Sequence, residues 1–143
     1  MKWFTHIGFS TLIFLIIKKL LEINNTLIII LGLSFCIIGG VIADIDIHFK
    51  IFSKHRGLIH SIIGLTIMSI PLLIIFSVLN LGIISLFFIA GYFFHLFLDS
   101  YTVYGVKWFP LLPRSKGFIK TGGLFENILA IIIWSIVIIF IFI

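Results

Sequence analysis

The chain has 143 residues, of which 62% are hydrophobic and 10% charged, and its mean hydropathy is +1.35. A water-soluble domain is typically about 45–50% apolar and about 25% charged, so this composition excludes a soluble surface. The net charge of +5 does not indicate nucleic-acid binding, because the Lys and Arg residues lie in short loops, where they act as topology signals and attract anionic lipid headgroups.

Five apolar segments are candidate membrane-spanning helices, because a span needs about 20 mostly apolar residues and lipid requires internally paired backbone groups. The first is the weakest, since Lys18 and Lys19 shorten its apolar core. The segments comprise residues 5–22, 26–43, 58–79, 82–99 and 123–143. The sequence therefore predicts an all-α, polytopic membrane helix bundle of four to five transmembrane helices, formed by a single domain over residues 1–143.

Turn and breaker residues separate or bend these segments. Asn80 and Gly82 predict a tight turn, so the third and fourth segments form a hairpin. Pro71 lies inside the third segment and predicts a kink. Cys36 is the single cysteine, which excludes an intrachain disulfide, and its apolar surroundings indicate a packing role.

Two polar loops, over residues 44–57 and 100–122, lie on the same side of the membrane in a bundle of alternating helices. They contain seven basic residues, at positions 50, 54, 56, 107, 114, 116 and 120. The positive-inside rule therefore predicts a multi-pass inner or plasma membrane protein with its N-terminus and both large loops in the cytoplasm.

The ionisable side chains gather at this predicted cytoplasmic face. All the histidines belong to helix ends or to the two loops, as do all the acids except Glu22, which lies on the other side. These residues are His6, His48, His55, His60, His95, Asp44, Asp46, Asp99 and Glu126. Ionisable groups at membrane depth are costly and tend to be functional, so this distribution indicates a single site.

The spacing of these residues suits a metal ion. His95 and Asp99 are four residues apart near the end of the fourth helix, so they share one helical face. Asp44 and Asp46 point the same way if their segment is extended. Imidazole and carboxylate together suit a divalent transition metal such as Zn²⁺, Mn²⁺ or Fe²⁺.

His55 and His60 open the third helix with an Arg-Gly sequence between them. A continuous helix would separate the two rings by about 140°. A break at Gly57 removes that constraint and leaves His60 on the first helical turn.

Some of these side chains have a simpler structural interpretation. His48 lies between apolar neighbours and is typical of an interfacial anchor. Glu126 begins the last helix, where a carboxylate either stabilises the positive end of the helix dipole or serves the site. Four aromatic residues are expected in an interfacial belt: Tyr92, Tyr101, Tyr104 and Trp108.

The motifs together resemble the YdjM-like family over about residues 1–126. They are His6, Asp44-Ile45-Asp46, His55-Arg56-Gly57-x-x-His60-Ser61 and His95-x-x-x-Asp99-x-x-Thr102-x-x-Gly105. Ala43 stands where the family usually has proline, and Ile59 where threonine commonly precedes the second histidine. The resemblance implies an inner-membrane, metal-dependent hydrolase, with some members under LexA control, and it indicates no substrate.

The working hypothesis is a metal-dependent hydrolase that acts on a lipid-linked ester or phosphoester at the cytoplasmic membrane surface. Its predicted metal ligands are Asp46, His55, His60, His95 and Asp99. Asp44 is expected as a ligand or general base, and Arg56 is expected to bind a phosphate or carboxylate, unless it is a topology charge. His6 and Glu126 are expected to complete the catalytic group.

Two other functions fit the same residues. An ion or metal transporter is less favoured, because the middle and outer halves of the helices offer mostly Ser, Thr and Gly rather than a polar path. A non-enzymatic membrane scaffold with a structural metal stays open, because structural and catalytic sites use the same ligand types.

Overall fold

The computed structural model describes residues 1–45, 58–109 and 111–142. Over these ranges the chain forms helices without strands, and two isolated β-bridges tie the segment after the fourth helix. The helices are α1 (Trp3–Leu20), α2 (Thr26–Ile42), α3 (Ile62–Val78), α4 (Ile83–Ser100) and α5 (Leu124–Phe142), and a short 3₁₀ turn (Ala43–Ile45) follows α2. These bounds lie within four residues of the predicted ones.

Three of the helices, α1, α4 and α5, are long and apolar enough to cross a membrane by length and composition. The other two, α2 and α3, are apolar helices of 17 residues each. Many large apolar side chains on these helices face outward, including Ile30, Ile74 and Ile131. Such surfaces suit lipid rather than water, and the predicted all-α, polytopic membrane bundle is confirmed.

Helices α2 and α4 form the most extensive interface and lie at the centre of the bundle. Glycines permit their close approach: a Cβ atom at Gly39 would meet the carbonyl oxygen of Phe88, and one at Gly91 would meet that of Cys36. Small residues at such positions let helix backbones pack closely in membranes. This contact sets the spacing between the end of α2 and the end of α4.

Successive helices run in opposite directions, so alternate helix ends meet. At one end the ring of His6 on α1 stacks on that of His95 on α4. Near the other end Phe14 on α1 packs against Phe87 on α4, with ring centroids 5.0 Å apart. The start of α1 therefore lies beside the end of α4, together with the end of α2 and the starts of α3 and α5.

Local hydrogen bonds set several of the boundaries. Asn25 caps α2 by accepting from the backbone of Leu27 and Ile28, and Ser61 caps α3 by accepting from Gly64. His60 therefore lies in the turn before α3, whereas the sequence predicted it on the first helical turn.

Three other expectations can be compared with the fold. Asn80 has a φ of 56° in the turn between α3 and α4, which supports the predicted hairpin. Tyr92 is fully buried among Ala43, Phe88 and Leu96, so its expected place in an interfacial belt is wrong. Cys36 is buried in the core as predicted.

Candidate metal centre

Four ionisable side chains from three elements meet at one end of the bundle. Asp44 lies in the 3₁₀ turn after α2, His60 in the turn before α3, and His95 and Asp99 one turn apart on α4. Each is between 0% and 2% exposed. Charged side chains are rarely so buried unless they are paired or coordinate a metal. The burial of these four side chains therefore indicates pairing or metal coordination.

The spacing of the donor atoms suits a single ion. His60 Nε2 lies 3.3 Å from Asp44 Oδ1 and 3.5 Å from His95 Nε2. His95 Nε2 lies 3.7 Å from Asp44 Oδ1 and 3.9 Å from Asp99 Oδ2. Atoms about 2.0–2.1 Å from a tetrahedrally bound ion are about 3.4 Å from one another. One ligand atom from each of the four residues lies within 4.8 Å of the others, so the group can hold a metal ion.

The second nitrogen of His95 fixes the ring in a ligand-ready orientation. Nδ1 lies 2.7 Å from the carbonyl oxygen of Gly40, to which it donates, and Nε2 then carries a lone pair facing the cluster. Metal-binding histidines commonly donate their other N–H to a carbonyl or carboxylate. Because α2 and α4 approach closely, the Gly40 carbonyl lies within reach of the ring.

Hydrogen bonds outside the cluster hold the turn that carries His60. The hydroxyl of the buried Tyr92 donates to the carbonyl oxygen of Ile59 over 2.6 Å. Ser61 caps α3 and donates to Leu58, and Gly64 leaves room for the Ile59 carbonyl to fold back on the helix. The position of His60 therefore depends on α4 as well as on its own turn.

The surroundings of the Asp44 carboxyl favour its ionised form. Burial raises its pKa, but the hydrogen bond with His60 and the nearby His95 and His6 rings lower it, and the net pKa lies below the ordinary value. An ionised carboxylate is the form that binds a cation. The amino group of Met1 contacts Asp99, which also indicates a negative potential at this place.

His6 adds a fifth buried group beside the four. Its ring stacks on that of His95 with centroids 4.0 Å apart and an interplanar angle of 25°. Its Nε2 lies 3.4 Å from Asp99 Oδ1 and 3.9 Å from Asp44 Oδ2. Neither ring nitrogen of His6 makes a hydrogen bond of acceptable geometry with a described residue. The donor set, three imidazoles and two carboxylates, suits Zn²⁺, Mn²⁺ or Fe²⁺.

The remaining predicted residues are placed differently. The carboxylate of Glu126 accepts from the backbone of Lys2 and Gly122 and from the Thr5 hydroxyl, so it ties the start of α5 to the start of α1 rather than joining the cluster. Four other residues singled out in the sequence lie outside the described residues: Asp46, His48, His55 and Arg56.

Two contributors were not predicted as part of the site. The Gly40 carbonyl and the Tyr92 hydroxyl both reach it through contacts between distant parts of the chain. The only sequence signal for them is the Gly39-Gly40 pair near the end of α2, which is typical of close helix packing.

The whole length of the chain, residues 1–143, matches the family described as YdjM inner membrane protein. The chain belongs to that family. This membership confirms the resemblance drawn from the motifs, and it is consistent with the membrane helices of the bundle. No curated protein and no solved structure matches this YdjM family member.

Proposed function

We propose that this protein is a metal-dependent hydrolase acting on a lipid-linked ester or phosphoester at the cytoplasmic face of the inner membrane. The observation that carries the proposal is the buried convergence of His60, His95, Asp44 and Asp99 within the reach of one ion. A divalent transition metal ion bound there would supply Lewis acidity and activate water for hydrolysis.

The residues of the chain take distinct roles in this proposal. His60, His95 and Asp99 bind the metal, and Asp44 either binds it as well or accepts a proton from the attacking water. Asp46, His55 and Arg56 lie outside the described residues. In this proposal Asp46 and His55 are additional metal ligands, and Arg56 pairs with a phosphate or carboxylate. Glu126 contributes by holding the start of α1, and therefore His6, in place.

The segment after α4 supports a lipid-linked substrate. Residues 100–123 contain four cations and no acid. Leu111 is 99% exposed and Phe118 74% exposed, and Tyr104 also faces outward. Exposed apolar side chains among cations suit a membrane interface with anionic headgroups.

This segment is anchored directly beside the cluster. Thr102 donates from its backbone and its hydroxyl to the carbonyl oxygen of Asp99, and Ile62 donates to that of Trp108. Antiparallel bonds between Val106 and Ser115 hold its shape. A lipid bound at this surface would therefore have its polar group close to the metal ligands.

The proposal is tested by metal analysis and turnover on one preparation. Protein purified in detergent is expected to contain a stoichiometric transition metal and to release product from a panel of phospholipid and lipid-linked phosphoester substrates. His95→Ala should lose both properties, whereas Phe97→Ala, an outward-facing change on the same helix, should keep them.

Other outcomes would favour the rival functions. Metal without turnover on any ester or phosphoester would favour a scaffold with a structural metal. Metal uptake into sealed vesicles containing the wild-type protein would favour transport. Equal metal content in wild type and His95→Ala would show that the site is wrongly assigned.

A further inference from the structure

The carboxylates of Asp44 and Asp99 each direct their two oxygen atoms towards different histidines. On one side, Asp44 Oδ1 and Asp99 Oδ2 face the Nε2 atoms of His60 and His95, at distances of 3.3 to 4.0 Å. On the other side, Asp44 Oδ2 and Asp99 Oδ1 face His6 Nε2, at 3.9 and 3.4 Å. Each carboxylate therefore directs one oxygen atom towards the rings of His60 and His95 and the other towards the ring of His6.

The surroundings of His6 include buried polar atoms that make no hydrogen bond with the described residues. Both ring nitrogens of His6 and the Oδ2 atom of Asp44 make none with the described residues. His6 is only 1% exposed, so water does not reach it freely. Leaving buried polar atoms unsatisfied is energetically costly, so these atoms are arranged to meet a ligand.

The stacked histidines separate the two sides. His6 and His95 lie nearly parallel with ring centroids 4.0 Å apart, and the Nε2 atom of each approaches a different oxygen of Asp99. The ammonium group of Met1 contacts the same Asp99 oxygen that faces His6. That oxygen therefore already attracts a cation, which a metal ion would have to displace.

We propose that the site binds two divalent metal ions, the second held by His6 Nε2, Asp44 Oδ2 and Asp99 Oδ1. Asp44 and Asp99 then bridge the two positions, and His60 and His95 belong to the first position alone. This inference rests on the proposed function and deepens it. Two-metal sites stabilise both the attacking and the leaving oxygen of an in-line displacement at phosphorus, so within the proposed substrates it favours the phosphoester.

The proposal is tested by metal stoichiometry. The full-length protein is stripped with a chelator, reloaded with Mn²⁺ or Zn²⁺ and freed of unbound metal. Wild type is expected to retain two ions per chain and His6→Ala one. Thr11→Ala, a change on the same helix whose hydroxyl donates within its own turn to Ile7, should retain two.

A spectroscopic measurement checks the count independently of metal analysis. Two Mn²⁺ ions bridged by carboxylates couple magnetically, so wild type should give an exchange-coupled paramagnetic resonance signal. His6→Ala and the more conservative His6→Asn should give the six-line signal of an isolated ion.

The outcomes separate the two-metal proposal from the proposed function. A single uncoupled ion in wild type, equally retained by His6→Ala, would overturn the second position while leaving a one-metal hydrolase in place. Two ions in both wild type and His6→Ala would show that His6 is not a ligand. Absence of bound metal from wild type would overturn the proposed function and the second position together.

Discussion

Both ends of the helix bundle carry polar side chains, but the surroundings of these side chains differ. At the end where α1 stops, Lys19, Glu22 and Asn25 are exposed, and Asn25 satisfies the backbone at the start of α2. At the opposite end Asp44 and Asp99 are buried and face imidazoles from other helices. Exposed charges at helix ends serve topology and capping, whereas convergent buried charges need a paired partner or a ligand.

The direction in which the helices alternate produces this difference. The end that contains the cluster receives the end of α2, the end of α4 and the starts of α1 and α3, and each brings an ionisable residue. The opposite end receives the tight turn at Asn80 and the turn after α1, where no ionisable side chain is buried among the described residues. Among the described residues, the buried ionisable side chains therefore gather at one end of the bundle.

The largest expected effect is a loss of metal affinity when a carboxylate of the cluster is replaced by its uncharged amide. Asp99→Asn and Asp44→Asn should each weaken metal binding more than about 100-fold, because outer partners of metal ligands alone typically contribute 10–100-fold. Glu22→Gln removes the same charge at the exposed end and should leave metal affinity unchanged. Metal titration of the three purified variants measures the difference. Equal losses in all three would mean that overall charge, rather than the cluster, controls binding.

The second effect concerns the helix contact that brings the cluster together. Gly91→Val should destabilise the bundle by about 1–3 kcal/mol or more, because its side chain would meet the backbone of α2 at Cys36. Gly82→Ala is the matched control, since its Cβ would make an ordinary contact with Ser77 Oγ at 3.6 Å. Thermal unfolding in detergent should show a clear loss for the first and a change within about 0.5 kcal/mol for the second. A tolerated Gly91→Val would show that α2 and α4 are not held at this spacing.

These contacts explain how much could be predicted from the sequence. The apolar runs predicted the helices, because lipid leaves few alternatives for backbone hydrogen bonds. The spacing of His95 and Asp99, together with alternating helix direction, predicted that acids and imidazoles would gather at one end. The sequence leaves Glu126 either as a cap or as a site residue. Its contacts tie the start of α5 to the start of α1, and this could not be predicted because partners such as Thr5 are set by tertiary packing.

The position of His60 shows what local patterns cannot predict. The sequence placed it on a helix, but it lies in a turn whose carbonyl group at Ile59 is held by Tyr92, 33 residues away. Tyr92 itself was expected in the interfacial belt, because Tyr and Trp are enriched at membrane interfaces. The packing of α4 against α2 and α3 distinguishes the two environments.

A third prediction tests this hydrogen bond between the helices. Tyr92→Phe removes the hydroxyl that positions the turn of His60, and metal affinity should fall about 10-fold, as for other groups that orient ligands. Tyr101→Phe changes the same atom on an exposed ring just after α4 and should have no effect. Metal titration distinguishes the two variants once thermal unfolding has shown that both are as stable as the wild type. If Tyr92→Phe binds metal as wild type does, the turn holds His60 without help from α4.

The smallest expected effects compare the two helix caps, one at each end of the bundle. Asn25→Ala and Ser61→Ala each remove a side chain that accepts from the first turn of a helix, and each should cost about 1 kcal/mol of unfolding free energy. Their effects on metal binding should differ. Ser61 adjoins His60 and also bonds to Leu58, so its loss should weaken metal affinity severalfold, whereas Asn25 lies at the exposed end. Parallel measurements of unfolding and metal titration would separate the two ends, and equal metal affinity in both variants would mean that capping contributes to stability alone.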